Sequence, residues 1–210
     1  MKVIIFGIRR SGNSVVREWF AEQMGLEPVI NASSQNLKEN AVNSIEDYPL
    51  TYDILSSFRA DKKIVILRDP FNLFASRIRH YNLLSPSGSG WIDKEMTKRL
   101  WLMYAKIFFQ IPEIIFISYN KFIKEEDYRR TICKKIGGTF QDNSIHRVND
   151  NGLGSSFDGI RYDGNAQEMK VFDRWKEFQN NKYFIQLFTD EIRGLSNRIF
   201  GDQEWNTLFS

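Results

Sequence analysis

Residues 2–14 read KVIIFGIRRSGNS, and the fold class turns on the second half of that stretch. KVIIF (2–6) is a short apolar run that stops at Gly7, which suits a buried parallel strand. NSVVREWFAEQM (13–24) then sets Val15, Val16, Trp19, Phe20 and Met24 at helical spacing, with Gly25 placed as a C-cap. Strand, glycine-bearing turn and helix in that order leave the N–H groups of the first helical turn facing the turn, with the positive end of the helix dipole behind them. That is an anion site. The spacing of Gly7, Gly12 and Ser14 matches the phosphate loop G-x-x-x-x-G-K-S/T. The lysine position, however, holds Asn13, and two arginines, Arg9 and Arg10, fall inside the loop. The plain alternative is a tight strand–helix connection with no ligand.

Further along, KKIVIL (62–67) and EIIFISY (113–119) predict buried strands, and TYDILSSF (51–58) is a possible second strand. PFNLFASRIRHY (70–81) predicts a helix with proline in its first turn. Helices are also expected over 94–110, 125–138 and much of 167–200. Residues 31–50 read as loop and short helix, 82–93 as a mobile Gly/Ser-rich loop, and 139–166 as a long polar segment of the kind that often carries function. Strands alternating with helices point to an α/β fold: three layers around a central parallel sheet of about four or five strands, in one domain spanning 1–210.

The bulk numbers are compatible with that reading. The chain has 210 residues, 42% of them apolar and 14% aromatic, enough for an ordinary α/β core. Its net charge is only +3, so no general nucleic-acid binder is expected, whereas a local site for a small anion is. One cysteine, Cys133, forbids an internal disulfide and a zinc cluster, and two distant histidines, His80 and His146, argue against a metal site. No run reaches the ~20 apolar residues of a membrane span, and the N-terminus does not read as a signal peptide, so a cytoplasmic protein is the expectation.

A phosphate loop that serves ATP and magnesium needs its lysine, and an acid at a neighbouring strand end. Here KKIVIL runs into Arg68, with Asp69 one position late and ahead of Pro70. Positive charge at the sheet edge disfavours magnesium and favours a second anion. Two anion sites at adjacent strand tips would take a nucleotide phosphorylated at both ends. The plain reading of Arg68 is a surface ion pair, and that of Ser76 a small helical residue.

RRSGNS (9–14) resembles the 5′-phosphosulfate loop of the sulfotransferases, in which a lysine or arginine precedes Ser-Gly-Thr. Arg68, Asp69, Pro70 and Ser76 resemble that family's second motif, with the same spacing from arginine to serine. ISYNKF (117–122), GSSF (154–157) and RWK (174–176) are similar to its later elements. The resemblance implies a P-loop-like sulfotransferase fold and transfer of a sulfuryl group from 3′-phosphoadenosine 5′-phosphosulfate, without a metal. The acceptor would be a hydroxyl or amine on a small molecule or carbohydrate. It implies that Arg9, Arg10, Ser11, Gly12, Asn13 and Ser14 surround the 5′-group, with Arg10 stabilising the leaving group. Arg68 and Ser76 would hold the 3′-phosphate, with Ser155 and Ser156 as further candidates. Asn13 departs from the family's threonine.

The general base is the open position. Asp53 and His80 are equal candidates; Glu46, Asp47 and Asp61 lie near in sequence, and His146 is a further imidazole. Trp91 in the loop 82–92 is a candidate for closing over the acceptor or stacking on a sugar ring. Tyr119 reads as a strand-end residue, and Trp19, Trp101 and Trp175 as core. Two alternatives stay open: a nucleotide or small-molecule kinase, and a non-catalytic nucleotide-binding protein. Oligomeric state is not legible.

Overall fold

The computed structural model describes residues 1–83, 94–111, 113–148, 155, 157–201 and 205. Ser156 and the stretch 84–93, with Trp91, lie outside the described residues. Five strands, β1 (Lys2–Gly7), β2 (Glu27–Val29), β3 (Ala41–Glu46), β4 (Lys62–Leu67) and β5 (Ile115–Ser118), form one sheet in the order β2-β3-β1-β4-β5. Every pairing is parallel. The connecting helices are α1 (Asn13–Met24), α2 (Tyr52–Ser57), α3 (Pro70–Tyr81), α4 (Lys94–Ile107), α5 (Tyr119–Lys124), α6 (Glu126–Ile136), α7 (Lys182–Ile185) and α8 (Asp190–Phe200).

The layering follows from the period-2 alternation of the central strands. Val3 and Ile5 of β1, with Ile64 and Ile66 of β4, pack with Val16, Trp19 and Phe20 of α1 and with Ile132 and Ile136 of α6. Ile4 and Phe6, with Val65 and Leu67, point to the other face and meet Phe71 and Phe74 of α3, Trp101 and Tyr104 of α4, and the C-terminal Phe184 and Phe188. Both faces of the sheet are therefore dry, as parallel strands require. Each large side chain sealed away there contributes about 1.5–3 kcal/mol. Trp19, Trp101 and Trp175 are all core residues, as their sequence context indicates.

Several segments depart from the sequence expectations. Residues 51–58 form no strand: Thr51 caps α2 by accepting a hydrogen bond from the Ile54 amide at 3.3 Å, and Leu55 and Phe58, three apart, are the buried pair. The strand beside β1 is instead β3, inside the stretch read as loop and short helix. AVNSIE looks polar because it carries Asn43 and Ser44, yet Asn43 is fully buried. Its Nδ2 donates to the carbonyls of Val3 (3.2 Å) and Lys38 (3.0 Å), and its Oδ1 accepts from the Lys38 amide at 2.8 Å. Those bonds remove the burial penalty that would otherwise argue against the placement. Late in the chain, the stretch around Arg174–Phe178 is a short 3-10 turn rather than an α-helix.

The register aligns the C-terminal ends of the strands. Gly7 lies opposite Glu46 on one side and Ile66 on the other, and Leu67 lies opposite Ser118. The chain leaves β1 toward β2 and β3, then crosses back to β4. The edge beyond Gly7 and Leu67 is thus the switch point where open parallel sheets bind ligands. Among the described residues no helix is long and apolar enough to cross a membrane.

Candidate active site

Beyond that switch point lies an open cleft of about 1260 Å³, lined by the 9–14 loop, one side of α1, Glu46, Arg68, His80, Tyr119 and the 144–174 region. The loop is built by its own side chains. Ile8 accepts a hydrogen bond from the Ser11 amide at 2.9 Å, closing a turn whose third residue, Arg10, has φ 78. This is the geometry of a type II turn, a position that favours glycine. The Ser11 hydroxyl also donates to the Ile8 carbonyl. Asn13 Nδ2 donates to Ile8 O at 3.1 Å and to Glu46 Oε1 at 2.8 Å, and its side chain fills the space a Cβ on Gly7 would need. The residue in the lysine position is therefore a clasp that ties the loop to β3.

What the loop presents to the cleft is main chain together with Arg9 and Arg10. Gly12 precedes α1 with φ 90, and no side chain caps the helix. No acid sits in the first turn, so the N–H groups of that turn and the dipole's positive end face the cleft uncompensated. A Cβ on Gly12 would lie 2.0 Å from the Tyr119 ring. Glycine is needed there for the left-handed backbone and for the close approach together.

Of the arginines that line the cleft, Arg10, Arg68 and Arg174 lie close enough to act on one another electrostatically. Arg68 is 2% exposed. It stacks on the Tyr119 ring at 4.9 Å and donates to the carbonyls of Arg10 (3.1 Å) and Val171. Trp101 Nε1 donates to the Arg68 carbonyl at 2.9 Å and fixes the backbone there. Burial, and then the charge of Arg68, lowers the Arg10 guanidinium from its ordinary value. Burial, then Arg68, with Arg10 adding less, lowers Arg174 to about 10. Mutual repulsion of buried cations is costly, and a polyanion placed among them would relieve it.

The structure brings Arg9, Gly12, Asn13, Ser14 and Ser155 to the same cleft as Arg10 and Arg68. Arg9 binds Glu46 Oε2 through Nε at 2.9 Å, and its amide donates to Asp47 Oδ1 at 2.8 Å. Burial opposes the Arg9 charge, but the hydrogen bonds to Glu46 and Tyr81 and the charges of both together outweigh it, and the guanidinium is held more firmly protonated. Ser155 Oγ accepts from Arg174 at 2.7 Å and from the amides of Phe157 and Asp158, and it donates to Asp158 at 2.9 Å. It is a fastener for Arg174. Ser11 is 1% exposed and Ser76 fully buried; neither lines the cleft. Asp69 sits at the start of α3 as its cap: Oδ1 accepts from the amide and side chain of Asn72, and Oδ2 from Asn120 Nδ2 at 3.0 Å.

Of the two base candidates, His80 lines the cleft and Asp53 does not. Partial burial of the His80 ring, then the charges of Arg10, Arg9 and Arg77, lower its pKa below 6.5, with Glu46 acting weakly the other way. The imidazole is therefore neutral at pH 7 and able to take a proton. Asp53 is exposed in the first turn of α2, and the neighbouring Tyr52 and Leu55 line a separate cavity with Lys62 and Lys63 at the start of β4. His146, exposed beside Gln167, does not line the cleft either.

Sequence reasoning missed Arg77 and undervalued Arg174, Glu46 and Tyr119. Arg77 is fully buried and donates to the Arg9 carbonyl (3.2 Å), Asp47 (2.7 Å) and Thr97 (3.1 Å), so it braces the loop from beneath. Its one sequence signal is a charge on the apolar side of α3.

No family model and no curated protein sequence matches the chain. Solved structures do. A sulfotransferase domain from the curacin biosynthetic pathway superposes with a TM-score of 0.63 at 14% identity, over 94% of this chain and 96% of that one. A mouse sulfotransferase, SULT7A1 complexed with PAP, gives 0.55 at 15% identity, over 96% and 89%. A sulfotransferase domain from the Synechococcus PCC 7002 olefin synthase gives 0.56 at 13% identity, over 94% and 93%. A five-stranded all-parallel sheet with a phosphate-type loop at its switch point, matched over nearly the whole of these chains, gives this protein the sulfotransferase fold.

Proposed function

We propose that the chain transfers a sulfuryl group from 3′-phosphoadenosine 5′-phosphosulfate to a hydroxyl or amine on a small molecule or carbohydrate. The observation that carries this is the gathering of Arg10, Arg68 and Arg174 at an uncapped helix N-terminus with no acid in its first turn. The residues suit such a nucleotide. The Nε atoms of Arg68 and Arg174 are sealed from water with no hydrogen-bond partner among the described residues, and the α1 amides lie one strand away.

The bound nucleotide supplies a sulfuryl group whose bond to a phosphate oxygen breaks as the acceptor oxygen or nitrogen attacks sulfur. The protein's part is positional and electrostatic. The amides from Asn13 onward and the Arg10 guanidinium bind the 5′-group and hold the charge that grows on the departing phosphate oxygen. Arg68 holds the 3′-phosphate and fixes the nucleotide's orientation. His80, neutral at pH 7, receives the acceptor's proton. Glu46, between Arg9 and Asn13, keeps the loop closed against β3.

The kinase alternative fares worse on the same geometry. Asn13 stands where the lysine would, and Asp69 has both oxygens engaged in the α3 cap. Calorimetry with adenosine 3′,5′-bisphosphate against ATP with magnesium separates the two. Micromolar bisphosphate binding without metal is expected, and tight metal-dependent ATP binding in its place overturns the proposal. Arg68→Ala should weaken the bisphosphate by about 1.5–3 kcal/mol, the worth of a charged hydrogen bond, and adenosine 5′-phosphate much less. Turnover of radiolabelled sulfuryl donor with an acceptor panel distinguishes an enzyme from a nucleotide-binding protein.

A further inference from the structure

α1 borders the cleft along two flanks, and the nucleotide reading uses only its tip. On one flank Glu22 accepts hydrogen bonds from Asn143 Nδ2 at 3.0 Å and from the Ser144 amide at 3.2 Å, so that side is tied to the 144–146 turn. The other flank carries Arg17 and, one turn on, Ala21, whose carbonyl accepts from the Leu26 amide at 3.0 Å as the chain turns into β2. Leu26, Pro28 and Ile30 alternate with Glu27 and Val29, and the strand period turns them to one face of the sheet. Leu26 packs with the core beneath α1, whereas Val29 packs on the opposite face. All three line the cleft, and Ile30 is 40% exposed. The cleft therefore has an arm between α1 and the edge strand β2, apolar along the strand and charged at Arg17.

Arg17 is built into this arm as a buried cation. Its side chain is 2% exposed, and Nη2 donates to Glu18 Oε1 at 2.8 Å. Nε is sealed from water with no hydrogen-bond partner among the described residues. The other acids on this side are engaged elsewhere: Glu46 with Arg9 and Asn13, and Glu27 with Lys38 at 3.0 Å. A buried donor left unmet costs free energy until an acceptor reaches it, and a planar carboxylate fits the guanidinium fork. Arg17 lies four residues beyond Asn13, about 6 Å along the helix axis from the amides assigned to the 5′-group. β2 runs parallel to the other strands, so Ile30, just past its end, is on the side of the switch point. A molecule held at Arg17, with its body against Pro28 and Ile30, can present its far end to the helix tip.

We propose that the arm between α1 and β2 is the acceptor subsite and that Arg17 recognises a carboxylate there. The acceptor is then a small amphipathic hydroxy acid, with hydroxyl and carboxylate at opposite ends of an apolar body. This rests on the sulfotransferase reading above and adds the acceptor class to it.

The test is calorimetry on protein saturated with adenosine 3′,5′-bisphosphate, using 4-hydroxybutanoate, 6-hydroxyhexanoate and 8-hydroxyoctanoate, each against its primary amide. Ligand-free melting is the folding control. In wild type the best carboxylate should bind about 10- to 100-fold more tightly than its amide, as the loss of a charged hydrogen bond predicts. Arg17→Leu should erase that difference, and Arg17→Lys should keep part of it, because the charge stays while the fork is lost. Should Arg17→Leu not fold, Ile30→Glu puts a negative charge on the arm at an exposed position. It should weaken the carboxylates and leave the amides nearly as they were; an unchanged ratio overturns the proposal. A wild type that binds the bisphosphate but prefers no carboxylate, silence of the whole series included, overturns the arm and leaves the sulfotransferase reading intact. So does an Arg17→Leu protein that loses bisphosphate affinity as much as carboxylate affinity, which assigns Arg17 to the nucleotide. A wild type that does not bind the bisphosphate overturns both.

Discussion

At the tip of β1 the short polar side chains of Ser11 and Asn13 turn inward, and at the tip of β4 the Arg68 side chain reaches the cleft. Ser11 and Asn13 are both buried and spend their hydrogen bonds on the Ile8 carbonyl and Glu46, so the β1 loop faces the cleft with backbone amides and with Arg9 and Arg10. One position beyond β4, Arg68 is equally buried but reaches the cleft with a guanidinium stacked on Tyr119. The β1 tip suits a group recognised by many main-chain donors of fixed geometry, backed by the Arg9 and Arg10 charges. The β4 tip suits a group recognised by charge. A nucleotide with chemically different ends would exploit that difference, and changes at the two tips should fail in different ways.

The largest effect is expected at the main-chain site. Gly12→Ala places a Cβ 2.0 Å from the Tyr119 ring and asks alanine to adopt φ 90. The strained backbone and the overpacking should together cost about 2–4 kcal/mol of stability in denaturant titration, and the site should lose the whole nucleotide rather than one of its phosphates. The double variant Gly12→Ala with Tyr119→Ala should recover the steric part only. A Gly12→Ala protein of wild-type stability and affinity would mean that the loop is not the tight amide cradle described above.

Legibility in the sequence follows the same division. The β1–loop–α1 unit could be read because its signals are local: a run of apolar residues, glycines at fixed offsets and a helical period. KKIVIL and the proline-started α3 were readable for the same reason. β3 was not, because the satisfaction of Asn43 depends on the Val3 carbonyl of the neighbouring strand and on Lys38 five residues earlier, neither visible in AVNSIE itself. α2 was misread because six residues with two apolar positions fit either period until Thr51 is seen to cap them. In the site, residue types were legible and directions were not. Arg68 and Ser76 were read as one pair from their spacing, yet one lines the cleft and the other is sealed inside α3. Arg77 and Arg174 depend on contacts across the chain with Asp47 and Asn72, and no local pattern announces those.

A smaller, pH-dependent effect is expected at His80. Its pKa is lowered by partial burial and then by Arg10, Arg9 and Arg77, so the neutral, proton-accepting form predominates at pH 7 and is lost as pH falls through a midpoint below 6.5. kcat/KM should therefore rise with pH along an acid limb and be flat near neutrality. His80→Gln should abolish that limb and lower kcat by about 10²- to 10⁴-fold, the range for a positioned base. An unaltered pH profile in His80→Gln would move the proton acceptor elsewhere in the cleft, to Glu46 first.

The smallest effect belongs to Asp53, the carboxylate that sequence alone ranks level with His80. Its helix packs by the start of β4, where Tyr52 and Leu55 share a cavity of about 480 Å³ with Lys62 and Lys63. The arginines lie past the other end of the same strand, and six residues of strand span about 17–20 Å. No carboxylate takes a proton directly over that distance, because general-base catalysis needs hydrogen-bond reach or one bridging water. What Asp53 does contribute is a favourable charge in the first turn of a short helix, worth about 0.3–1 kcal/mol. Asp53→Asn should therefore lower the melting temperature slightly and leave kcat, KM and the acid limb of the pH profile as in wild type. A loss of rate comparable to that of His80→Gln would require α2 to reach the cleft during turnover, and the division of labour between the two strand tips would then need a third, mobile element.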